Sequence, residues 1–91
     1  MGRDTDRELI RTALLELADA RGSVKSFCPS EAARQVASDW RPIMPLVREI
    51  AAELQADGRL DVLQRGMAVS AQRARGPIRL RKASGKPPPP P

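Results

Sequence analysis

Apolar residues recur every three to four positions early in the chain: Ile10, Ala13, Leu14 and Leu17 fall on one stripe with Arg21, while Arg7, Glu8 and Arg11 turn outward. The pattern predicts an amphipathic helix of about four turns. Thr5 and Glu8 have the spacing of a capping box, placing its start at Asp4 or Thr5, and Gly22 marks its end after Arg21. Residues 23–27 are too few for a helix and read as a brief strand from Val24 to Phe27. Cys28-Pro29-Ser30-Glu31 then opens a second helix, because proline at the first helical position loses no needed N–H and Glu31 sits at the positive end of the dipole. Its inward residues are Ala32, Ala33, Val36 and Ala37, and it ends at Ser38-Asp39.

Trp40-Arg41-Pro42 turns the chain into a third helix, where Ile43, Val47, Ile50, Ala51 and Leu54 form the apolar stripe. Pro42 and Pro45 delay its regular hydrogen bonding, and Asp57-Gly58 closes it. Leu60 to Gln64 reads as a strand, Arg65-Gly66 as a turn, Ser70 to Ala74 as a single helical turn, and Ile78 to Arg81 as a second strand able to pair with the first. The order is helix, short strand, helix, helix, strand, strand. It describes a mainly α protein with a small β-sheet (α+β): a winged helix-turn-helix of three helices and a C-terminal wing of two to three strands. The expected domain runs over 4–82, and 83–91 is a disordered proline-rich tail, since its five consecutive prolines offer no backbone donors.

Composition narrows the picture. Ninety-one residues allow one small domain. With aromatics at 2 %, only Phe27 and Trp40, the core must be aliphatic. One cysteine permits no intrachain disulfide and makes a metal cluster untenable. The N-terminal MGRDTDRE lacks the apolar region of a secretory signal, and no apolar run approaches ~18 residues, so the reading is a cytoplasmic protein without a membrane partner.

Charge changes the picture most. Residues 1–58 carry eight basic and ten acidic side chains, whereas 59–86 carry eight basic side chains against Asp61 alone. In Ile78-Arg79-Leu80-Arg81 the arginines alternate with apolar residues, so both face outward, and Arg65, Arg73 and Arg75 occupy the connection before them. On the third helix Arg41, Arg48 and Gln55 line the side away from the Val47 stripe, together with Pro45 and Ala52. Guanidinium and amide groups suit base edges and phosphates. The eight candidate contacts with nucleic acid are therefore Arg41, Arg48, Gln55, Arg65, Arg73, Arg75, Arg79 and Arg81. Duplex DNA is the favoured partner, ahead of RNA, which the same basic wing would fit.

Several residues resemble a known family: CPSEAARQV at 28–36, Trp40-Arg41, Met44-Pro45, Val47-Arg48, Gly58-Arg59 and above all ARGPIRLR at 74–81. The chain resembles a family of short bacterial proteins of unknown function over roughly Leu9 to Lys82. The resemblance implies a winged-helix-like fold and brings no catalytic residue or ligand.

Competing readings stand beside each feature. Glu49, Glu53 and Asp57 leave the third helix net acidic, which suits a solvated face with i,i+4 pairing and opposes groove entry. Basic strand residues also protect a sheet edge from aggregation. A thiol at a helix start has a lowered pKa, but the chain has no histidine to pair with Cys28, which reads as a small buried residue. Trp40, between two helices, reads as core rather than as a base-stacking platform, and Pro87 to Pro91 read as inert rather than as a polyproline ligand. No glycine-rich phosphate loop or paired acid is present, so neither enzymatic activity nor a cofactor is expected. The alternative to nucleic-acid binding is a winged-helix module for protein docking or homodimerisation.

Overall fold

In the computed structural model, which describes residues 2–83 with side chains from Thr5 onward, three helices precede a three-stranded antiparallel sheet. The tail expected at 83–91 lies outside the described residues except for Ala83. Helix α1 spans Gly2–Arg21, α2 Pro29–Val36 and α3 Met44–Ala56, the last entered through a 3-10 turn, Arg41–Ile43. Strands β1 (Leu60–Gln64), β2 (Met67–Ala68) and β3 (Arg79–Lys82) are ordered β2-β1-β3. The result is an α+β fold compatible with a winged-helix-like arrangement.

Each helix buries most of the stripe its periodicity assigns, whereas Val36, Ala37 and Ile43 are half-buried. Ile10, Leu14 and Leu17 of α1 and Val47, Ile50, Ala51 and Leu54 of α3 are buried in one core, with Ala32 and Ala33 of α2. The two alanines let α2 approach closely, and Phe27, fully buried, fills the space beside them and the sheet. Several details differ from expectation, among them the end of α2, at Val36 rather than at Ser38-Asp39. α1 starts at Gly2 and runs through Thr5, so the Thr5–Glu8 spacing does not cap it. Asp6, an acid that the dipole favours near a helix N-terminus, is compatible with the added turn. The strand expected from Val24 to Phe27 shrinks to one bridge, Phe27 with Leu80, because 22–24 form a turn and Pro29 already belongs to α2. Cys28 is half-buried rather than buried, at the N-cap of α2, and its Sγ accepts a hydrogen bond from Ser30 Oγ at 3.1 Å.

The third strand is instead β2, which pairs with β1 in the register Leu63–Ala68 and Gln64–Met67. Arg65 and Gly66 between them both have positive φ, 53° and 80°, as a two-residue hairpin turn of the I′ kind requires. Arg65 carries that conformation with a Cβ, at some cost in strain. β3 closes the other side of β1, with Val62 opposite Leu80 and Asp61 opposite Arg81.

Ion pairs join the elements. Arg7 of α1 reaches both Glu49 and Glu53 of α3. Arg21, at the end of α1, holds Glu31 in the first turn of α2, and Glu31 also accepts the Cys28 N–H at 3.1 Å. The hydrogen bond from Arg21, reinforced by the Cys28 N–H, pulls the Glu31 carboxyl below its ordinary value against the opposing effect of burial.

Candidate nucleic-acid interface

The segment from Val69 to Ile78 has no regular secondary structure apart from the turn begun at Ser70, whose carbonyl accepts the Arg73 and Ala74 N–H groups. Such a segment leaves many carbonyls without ladder partners, and those need donors from elsewhere. Here three side chains supply them. Arg48 of α3 donates to the Ala74 carbonyl at 2.6 Å and the Gly76 carbonyl at 2.9 Å. Gln55, two turns along the same helix, donates to the Val69 carbonyl at 2.6 Å and accepts the Ala71 N–H at 3.1 Å. Gln64, at the end of β1, donates to the Arg75 and Pro77 carbonyls. Buried Ala71 and Ile78 provide the apolar anchors. The segment is thus held against α3 and the end of β1.

This arrangement separates the eight sequence-predicted contacts. Arg48 and Gln55 were expected on an open helix face, but the face they share with buried Ala52 is covered by residues 69–76, and both side chains are bound to backbone groups. The exposed stripe of α3 is instead Pro45, Glu49, Glu53 and Ala56. Arg81 was expected to face outward. It is half-buried and pairs with Asp61 directly across the sheet at 3.1 Å, while its Nε is buried without a partner. Arg79 is exposed and bonds to Ser26 through both the hydroxyl and the carbonyl, which also ties down the outer edge of β3. Ile78 and Leu80 point inward as the alternation predicts.

Arg65, Arg73 and Arg75 are exposed, and among the described residues none of them has an ion-pair or hydrogen-bond partner for its guanidinium. A surface groove along the segment brings Arg65, Arg75 and Arg79 together, with Gln64, Met67 and Pro77 among its other lining residues. Among the described residues no acidic side chain lines it. Met67 is 72 % exposed there. Arg41 sits apart, at the entry to α3, with its guanidinium over the Trp40 ring. Trp40 itself is half-buried and packs against the core, so its sequence reading as core holds for one part of the ring only.

Sequence reasoning missed Gln64 and Arg34. Gln64 has no signal beyond its place at a strand end. Arg34 lies in the last turn of α2 and stacks over the same indole as Arg41, a relation that no helical spacing encodes. Among the described residues no group of acidic, histidine or cysteine side chains is placed to hold a metal ion, and no helix is long and apolar enough to cross a membrane.

The model of a family described as protein of unknown function DUF3253 matches residues 7–83, from the first turns of α1 to the end of β3, and the chain belongs to this family. No curated protein matches the chain.

Proposed function

We propose that this DUF3253 protein is a small winged-helix protein that binds double-stranded DNA through its phosphates, with little dependence on base sequence. The observation that carries the reading is the groove that holds Arg65 of the β1–β2 turn, Arg75 of the segment pinned by Arg48, Gln55 and Gln64, and Arg79 of β3, with no acid among its lining residues. Three guanidiniums in one groove without counter-charges favour a polyanion, and a pinned backbone lowers the entropy lost when they engage it. Arg73, exposed on the pinned segment, adds to its positive charge. Arg48 and Gln55 support this surface from within.

Low base selectivity follows from α3. A reading helix presents a row of donors and acceptors to base edges. On this helix that row is bonded to residues 69–76, and the exposed stripe contains Glu49 and Glu53, which a phosphate backbone repels.

The test is a fluorescence-anisotropy titration of labelled random-sequence duplex between about 50 and 200 mM salt. Phosphate binding predicts an affinity that falls steeply and linearly on logarithmic axes, with unrelated sequences alike. A salt-insensitive interaction with a protein partner, and no duplex binding at the lower salt, would favour the docking alternative.

A further inference from the structure

Outside the groove, a second cluster of positive charge lies at the turn between α2 and α3. Arg34, in the last turn of α2, and Arg41, at the start of the 3-10 turn, each place the guanidinium carbon 4.8 Å from the centroid of the Trp40 ring. The two cations therefore lie no farther apart than twice that distance. Both are exposed, and neither has a carboxylate partner among the described residues. Asp39 adjoins Trp40 in sequence but forms no ion pair with either.

Resting on the DNA-binding reading, we propose that Arg34, Trp40 and Arg41 form a second phosphate-binding site, a clamp at the α2–α3 turn that engages the DNA backbone apart from the Arg65–Arg75–Arg79 groove. The indole attracts both guanidiniums without accepting their N–H groups in conventional hydrogen bonds, and among the described residues those groups have no acceptor, so they are free to meet a phosphate, whose geometry they match. The ring also restricts both side chains beforehand, so less rotamer freedom is lost on binding. Location strengthens the case. Arg41 precedes the N-terminus of α3, where the helix dipole is already positive and the first turn holds no acid. A cation there opposes the dipole, and an anion relieves both. Arg34, at the C-terminal end of α2, is favoured by its own dipole and by stacking, yet its charge stays unneutralised. Two guanidiniums at one ring reach a single phosphate or two successive ones along a strand.

The chain contains one tryptophan and no tyrosine, so intrinsic emission reports on this cluster alone. The experiment titrates the full chain with labelled random-sequence duplex DNA, following label anisotropy and Trp40 emission together, for the wild type and for Arg34→Gln/Arg41→Gln. Both substituted residues are exposed, and far-UV circular dichroism checks that the variant is folded. The clamp predicts a change in wild-type Trp40 emission that tracks anisotropy. It also predicts roughly tenfold weaker binding by the variant, with a salt slope lower by about two. Wild-type binding with unaltered emission, together with a variant of equal affinity and slope, overturns the clamp and leaves groove binding standing. No anisotropy change for the wild type at about 50 mM salt overturns both.

Discussion

The arginines of α3 and those of the segment that crosses it carry the same side chain in opposite circumstances. Arg48 ends on two backbone carbonyls, at 2.6 and 2.9 Å, whereas Arg73 and Arg75, on the segment it holds, point to solvent. A guanidinium is a fork of donors without an acceptor, so its role is set by the acceptors within reach. Where an irregular segment leaves carbonyls unpaired, the fork becomes structural. Where no acceptor is near, it remains available to an external anion. Charge counted along the chain cannot make that distinction, because both kinds contribute equally to the +5 total.

The largest expected effect concerns α3 as the support for both regions. Val47 and Ile50 are 0 % and 1 % exposed, and an aspartate at either position buries a carboxylate without a partner. The cost is several kcal/mol, comparable with the ~5 kcal/mol total stability of a small domain, so Val47→Asp or Ile50→Asp should abolish the cooperative thermal transition. A melt within a few degrees of wild type would mean that the wrong face of α3 has been assigned to the core.

Arg48→Ala should remove both bonds to the segment and cost about 1–3 kcal/mol. Hydrogen exchange should then rise among the amides of residues 69–76 while the α1 core keeps its protection. Unchanged exchange there would separate the segment from α3 and dissolve the comparison. Gln55→Ala should act in the same direction, because Gln55 holds Val69 and Ala71.

Arg65→Glu and Arg75→Glu should leave stability within about 0.5 kcal/mol of wild type, since both side chains are exposed. Each should weaken duplex binding on the order of 1 kcal/mol, as expected for a lost phosphate contact. Equal affinity of the double variant and wild type at low salt would remove the groove from the interface.

The smallest effect is on pH dependence. The folded state holds Glu31 below its ordinary value, so it binds fewer protons there than the unfolded state. Its contribution is present above the unfolded carboxyl value, about 4.3, and is lost as pH falls through the lowered folded one. Arg21→Gln should lower the melting temperature slightly at neutral pH, where the contribution is present, and the difference from wild type should shrink as pH falls through that acidic range, flattening the acidic limb. An unchanged acidic limb would mean that the Arg21–Glu31 pair has no part in joining α1 to α2.

What the sequence made legible follows from the range of the forces involved. The three helices and their core stripes came from local periodicity, since Ile10, Val47 and Leu54 are buried by the elements they help define. The β1 strand and the turn at Arg65-Gly66 were equally local. β2 escaped because two exposed residues carry no alternation. Arg48 and its carbonyls are 26 and 28 positions apart, and a bond from a side chain to an irregular backbone imposes no pattern at either end. The same holds for Arg34 and Arg41 meeting over Trp40. The basic character of residues 59–86 was plain in the sequence. Its division into Arg81 paired with Asp61, Lys82 paired with Asp19, tethered Arg79, and Arg59, Arg65, Arg73 and Arg75, which have no side-chain partner among the described residues, required the fold.

The contrast between a structural and an available arginine is measured most directly by the salt dependence of duplex affinity in Arg48→Gln beside Arg75→Gln. A phosphate contact contributes about one unit to the slope of log affinity against log salt, and a side chain that only positions others contributes none. The account predicts that Arg75→Gln lowers the slope by about one, whereas Arg48→Gln weakens binding with the slope of the wild type. A slope lowered by about one in Arg48→Gln and unaltered in Arg75→Gln would contradict it, placing α3 rather than the crossing segment against the DNA.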